Sequence, residues 1–177
     1  MNETELQNNL SKIKENGIYL VYTSSEEYRD ATIKTLNYLI SLMKSGIYVS
    51  LNLPKSSSIS ILKNNKVNTT NISYITIGDK NGEEGSTTIQ SPQSLTEVSI
   101  AITNTLLKGN FNFLLFDSLS TLLIYHDEET IEKFIHFLIN KMRALNFHGT
   151  MILLNEEKSN RLLPFVSQFS DATIKIL

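Results

Sequence analysis

The chain has 177 residues, of which 41% are hydrophobic and 19% charged, with sixteen basic and eighteen acidic side chains and no cysteine. That length suffices for one full apolar core, and the balance is that of a globular protein rather than a disordered one. A formal charge of -2 offers no broad electrostatic footprint for nucleic acid or anionic lipid; the lack of cysteine removes disulfides and thiolate metal sites and fits a reducing compartment. Neither a signal-peptide core nor a run of membrane-spanning length is visible, so the expected location is the cytoplasm, away from the membrane.

In chain order, residues 1–16 read as a peripheral amphipathic helix with Leu6, Leu10 and Ile13 in line. Gly17 precedes an apolar strand at 18–22. A capping-box signal from Ser24 to Glu27 then opens a helix whose stripe is Tyr28, Thr32, Leu36, Leu39, Ile40 and Met43. Gly46 leads into a second strand at 47–51, followed by a weaker helix at 56–64 and a β-branched strand at 73–77. Residues 78–92 hold three glycines and almost no apolar side chain, and read as a long loop in which Asp79, Glu83 and Glu84 are available to a basic partner.

A second capping box, Ser94 to Glu97, starts a helix with Leu95, Val98, Ile102 and Leu106 facing inward. After Gly109 comes a strand at 111–116. A third helix carries Ile131, Phe134, Ile135, Leu138, Met142 and Leu145, with Asp127 or the acids after it at its positive end. Gly149 precedes a strand at 150–154, and 172–176 is the last strand. Four glycines thus stand where a helix gives way to a strand.

This alternation, with near-continuous apolar runs such as FNFLLF and MILL, predicts strands covered on both faces. The expected fold class is α/β: one domain over 1–177, three layers, a mostly parallel central sheet with flanking helices. In such sheets ligands sit beyond the carboxyl ends of the strands. A phosphate-binding loop after the first strand needs two glycines, a Lys and a hydroxyl, so that backbone amides and one cation wrap the phosphates. Laid over that pattern, Thr23 and Tyr28 take the glycine positions, Arg29 the Lys and Asp30 the metal-binding hydroxyl, with Glu26 and Glu27 between them. Bulky side chains block the approach and the carboxylates repel polyphosphate. Arg29 reads as a solvated first-turn charge.

The strand ending in Asp117 has the Walker B pattern, in which the carboxylate holds magnesium through water. Without a phosphate loop Asp117 reads as a structural carboxylate satisfying loop amides. The segment LLFDSLSTLLIYHDEETIEKFIHFLINKMRALNFHGTMILLNEE, the ending SQFSDATIKIL and the central GIYVSLNLPKSSS together resemble archaeal KaiC-like and RecA-like ATPases, in a degenerate form that keeps the shell without the phosphate loop. The resemblance runs from about Gly17 onward and implies a RecA/KaiC-like P-loop NTPase architecture. It also implies a pair of water-activating acids after the second strand, where this chain has Asn52 and Pro54, neither a general base at neutral pH. Only Asp117 matches residue for residue.

His126 to Glu129 hold metal-capable atoms but read as a helix start. His136 and His148 read as surface residues, and the serines lack a nucleophile elbow. The expectation is a non-catalytic RecA/KaiC-like module with no cofactor and no metal, whose partner is another protein: a KaiC-like ATPase or a second copy of the chain. The rival readings are a nucleotide-binding protein or weak ATPase using Arg29 and Asp117, and a small-molecule sensor using the vacated crevice near Thr23, Asn52, Asp117 and Asn155.

Overall fold

The computed structural model describes residues 3–78 and 86–177. Seven strands form one sheet in the order β4-β3-β2-β5-β6-β1-β7, and every pair is parallel. They are β1 (Ile18–Thr23), β2 (Gly46–Ser50), β3 (Ile72–Ile77), β4 (Ser86–Ile89), β5 (Phe113–Asp117), β6 (His148–Leu154) and β7 (Ala172–Ile176). The helices are α1 (Glu3–Leu10), α2 (Tyr28–Met43), α3 (Lys55–Asn64), α4 (Leu95–Leu107), α5 (Glu128–Ala144) and α6 (Leu162–Phe169). The expected three-layer α/β architecture is present, with a sheet that is wholly parallel.

Helices cover both faces because the central strands are apolar on both. In β5, Leu114 and Phe116 join the core made with α4, α5 and α6, while Phe113 and Leu115 join the core under α1, α2 and α3. Successive residues therefore serve opposite layers, and no polar residue interrupts the strand before Asp117.

Two glycines act differently from the sequence reading. Gly46 and Gly149 lie inside strands, not at helix ends. A Cβ on Gly46 would fall 2.3 Å from the Phe113 ring, and one on Gly149 2.6 Å from the Met142 side chain, so both are demanded by close packing. Gly17 and Gly109 are the two of the four that take the left-handed region, with φ +115 and +80.

The loop expected at 78–92 is shorter than that. Ser86–Ile89 is an edge strand in register with Tyr74–Ile77; Asp79, Glu83 and Glu84 lie outside the described residues. The N-terminal helix stops at Leu10, although Ile13 beyond it is also buried. Ser24 accepts from the Glu27 amide at 3.3 Å, yet this closes a turn before α2, which starts at Tyr28. Ser94 and Asp127 do cap α4 and α5, accepting from the amides of Glu97 and Thr130.

His148 corrects a sequence reading. It is 1% exposed, stacks on Tyr19 with ring centroids 5.3 Å apart, and bonds Thr150 Oγ1 through Nε2 at 2.7 Å. The turn lies earlier, at Leu145 and Asn146, and the strand begins at His148 itself; burial pushes the imidazole down to about 4. His136, by contrast, is exposed beside Phe169.

Candidate functional site

The strand order separates β1 from β2 by β6 and β5, so α2, which joins them, crosses the sheet and packs on β5. Its first residue, Tyr28, is thereby carried to the carboxyl end of β5. In the register between β2 and β5, Ser50 lies opposite Asp117 and Tyr48 opposite Leu115. Period two then puts Tyr48, Ser50 and Asp117 on the α2/α3 face together.

The result is a carboxylate held between two phenols. Tyr28 donates its hydroxyl to Oδ1 of Asp117, and Tyr48 donates to Oδ2. Asp117 is 5% exposed and forms no ion pair with any cation among the described residues. Burial pushes its carboxyl above the usual carboxylate range, and the two tyrosine bonds pull back against that shift without cancelling it. Both phenols are raised in turn, first by burial and then by the negative charge of Asp117.

The cluster extends outward. Thr121 Oγ1 donates to Asn52 Oδ1 at 2.6 Å, and Asn52 Nδ2 donates to the Tyr28 hydroxyl at 3.4 Å. Thr121 arrives on the 3-10 turn Leu119–Ile124 that follows a cis Asp117–Ser118 peptide. A chain of hydroxyls and one amide therefore runs from Thr121 through Asn52 and Tyr28 to the carboxylate.

Of Thr23, Tyr28, Arg29, Asp30, Asn52 and Asp117, the structure joins Tyr28, Asn52 and Asp117 by hydrogen bonds, and Arg29 lines the cavity beside them. The Asp117 oxygens accept from tyrosine hydroxyls, not from the loop amides expected from the sequence. Thr23 is wholly buried, and its carbonyl accepts from the Asn155 amide at 2.6 Å. Arg29 is exposed on the first turn of α2, and Asp30 forms an exposed pair with Lys34 at 2.7 Å. Near Thr23, the Tyr22 hydroxyl donates to Asn155 Oδ1 at 2.6 Å. The sequence reading missed Tyr48 and Thr121. Tyr48 had a signal, the two-residue spacing to the end of its strand; Thr121 had none, because its position depends on a tertiary turn.

Beside the Tyr–Asp–Tyr cluster a cavity of about 230 Å³ opens between α2, α3 and β2. Its apolar wall is Ile33, Leu53, Ile61 and Leu62, with Asp117, Tyr28 and Tyr48 on the polar side. Among the described residues, no group of three or more His, Cys, Asp or Glu side chains is arranged to hold a metal. No helix among them is long and apolar enough to cross a membrane.

The fold and site thus define a class, a parallel three-layer α/β domain with a tyrosine-bound carboxylate at the end of its central strand. A solved structure from Pyrococcus horikoshii OT3, studied as project PH0250, shares this fold over 100% of this chain and 88% of its own, with TM-score 0.60 and 15% identity. The chain belongs to DUF7504, a family of unknown function whose model matches residues 65–176. Of the cluster, the matched span contains Asp117 and Thr121, while Tyr28, Tyr48 and Asn52 precede it. No curated protein matches.

Proposed function

We propose that this chain is a RecA/KaiC-like domain that has left nucleotide chemistry and acts as a non-catalytic module through contact with another protein. The observation that carries the reading is the engagement of both Asp117 oxygens by Tyr28 and Tyr48. A magnesium ion at the position the Walker B pattern implies needs several oxygen ligands or ordered waters around it, whereas here the carboxylate is buried, already accepts two hydrogen bonds and faces an apolar wall. The phosphate side is equally unfavourable: a tyrosine occupies the second glycine position of the cradle, Asp30 pairs with Lys34, and Glu26 is exposed at the entrance. The residues present do not fit a magnesium-nucleotide.

A contact surface lies at the same end of the sheet. Leu53 follows Asn52, and Ile124 ends the turn that carries Thr121; the Asn52–Thr121 bond therefore holds these two segments side by side. Leu53 is 37% exposed and Ile124 72%, with exposed Tyr125 next in the chain. Large exposed apolar side chains on these two adjoining segments support a protein contact.

Two measurements test the proposal. Steady-state phosphate release with ATP and magnesium is expected at background; turnover that vanishes in Asp117→Ala, with the fold retained, overturns the non-catalytic reading. Light scattering and co-purification from the native cell are expected to give a complex or a dimer that Ile124→Asp weakens. A strictly monomeric chain that recovers no partner removes the protein-contact reading.

A further inference from the structure

Buried charges in proteins are paired or coordinate a metal, because an isolated ion in a low-dielectric interior is costly. Among the described residues Asp117 has hydrogen bonds but no cation partner, and it lies on the wall of the cavity between α2, α3 and β2. A carboxylate offers about four lone-pair directions. Tyr28 and Tyr48 occupy one on each oxygen, which leaves acceptor capacity on the cavity side.

The remaining lining defines what complements that charge. Ile33, Leu53, Ile61 and Leu62 provide an apolar wall, and α3 contributes no charged residue to it. Thr32 and Ser58, also lining residues, are buried with hydroxyl oxygens that have no hydrogen-bond partner among the described residues. Buried polar groups rarely stay unpaired, so orphaned hydroxyls around a cavity mark a ligand or a water. The charged and titratable groups around the space are Asp117 from β5, Tyr48 from β2, and Tyr28 and Arg29 from α2. Arg29 is exposed and hence screened by solvent and salt, whereas Asp117 is not. The buried carboxylate therefore decides the sign.

We propose that this cavity binds a small organic ammonium compound, its cation against Asp117 and its apolar body against Ile33, Leu53, Ile61 and Leu62. An ammonium is a donor with three N–H groups, and the surroundings are rich in acceptors: the carboxylate and the Tyr28 and Tyr48 oxygens. Size sets the body. An apolar cavity of about 150 Å³ holds a benzene ring, so about 230 Å³ suits one ring with a short amine-bearing arm. The site shares Leu53 with the protein-contact surface but does not use Ile124, so Ile124→Asp, expected to weaken the protein contact, is expected to leave benzylamine binding unchanged.

Calorimetry on the full chain with benzylamine, benzyl alcohol and benzoate, which share a ring and differ in charge, tests this at pH 7.5. Benzylamine is expected to bind, with the alcohol at least tenfold weaker and benzoate weaker still. Asp117→Asn keeps the shape while removing the charge, and is expected to reduce benzylamine affinity at least tenfold. Ile61→Trp fills the cavity away from Asp117 and is expected to abolish binding while thermal unfolding stays cooperative. Acidification is expected to weaken benzylamine binding as the carboxyl protonates. Equal affinity for amine and alcohol, preference for benzoate, no heat from benzylamine at millimolar concentration, or displacement of benzylamine by magnesium each overturns the proposal. A protein partner that binds normally when benzylamine does not leaves the contact reading standing and removes this one.

Discussion

The Tyr48 hydroxyl reaches Oδ2 of Asp117 from the adjacent strand, two residues before Ser50, the residue in register with that aspartate. This diagonal across parallel β2 and β5 is fixed by backbone register, so the contact does not depend on a loop. Tyr28 makes the matching contact to Oδ1 from a helix that starts after a surface turn. The two phenols are chemically alike, but one is anchored by the sheet and buried, the other half-buried.

Their removal should therefore be unequal. Tyr48→Phe leaves a buried carboxylate oxygen without a donor and is expected to cost about 1.5–3 kcal/mol, the range for a hydrogen bond to a charged group. Tyr28→Phe opens a site that water reaches and should cost less than half as much. Urea unfolding of both variants decides it, and equal losses contradict the burial argument.

Asp117→Asn should flatten the pH dependence of stability. Burial holds the Asp117 carboxyl above its ordinary value, so the folded state binds a proton more readily than the unfolded chain. The contribution of this group is then fully present below the unfolded value and is lost as pH rises through the folded one. Asparagine carries no charge to bury at any of these pH values. On acidification from pH 7.5 the parent is expected to gain stability relative to the variant, a trend in the difference of melting temperatures that is separate from the constant cost of replacing an accepting oxygen with Nδ2.

Much of the fold could be read from the chain because each layer rests on local pattern. FLLF alternates between two cores, α5 keeps its apolar stripe from Ile131 to Met142, and Ala172–Ile176 is β-branched and ends as a strand where the pattern ends. Ser86–Ile89 was hidden because STTI has one strongly apolar residue; it is a strand through pairing with β3, not through its own composition. Asp117 stood out at the end of an apolar run, and Tyr28 by the motif it replaces. What sequence could not supply was their meeting, which requires α2 to cross over β5, a matter of strand order.

Gly46→Ala should destabilise the sheet severely, since its Cβ would overlap the Phe113 ring at 2.3 Å. Phe113 is wholly buried and cannot swing away. Overpacking of a rigid core costs about 1–3 kcal/mol. Phe113→Leu removes ring atoms at the point of overlap, so the double variant is expected to lose less than the two single losses added together. Strict additivity in a double-mutant cycle rejects the assigned collision.

His148 should give the protein an acid-sensitive limb of opposite sign to that of Asp117. Its imidazole is buried beside Tyr19 and pushed down to about 4, whereas in the unfolded chain it titrates near 6.5. Between these values the unfolded state holds the proton and the folded state does not, so stability falls as pH drops through that window. One proton difference corresponds to about 1.4 kcal/mol per pH unit. His148→Phe keeps a ring against Tyr19 and has nothing to titrate, at the cost of leaving the Thr150 hydroxyl without its imidazole partner. The variant is expected to be less stable at pH 7.5 but to lose less than the parent between pH 6.5 and 4. Urea unfolding at half-unit pH steps measures both slopes. Parallel slopes for parent and variant reject a neutral, buried His148 as the source of the acid limb.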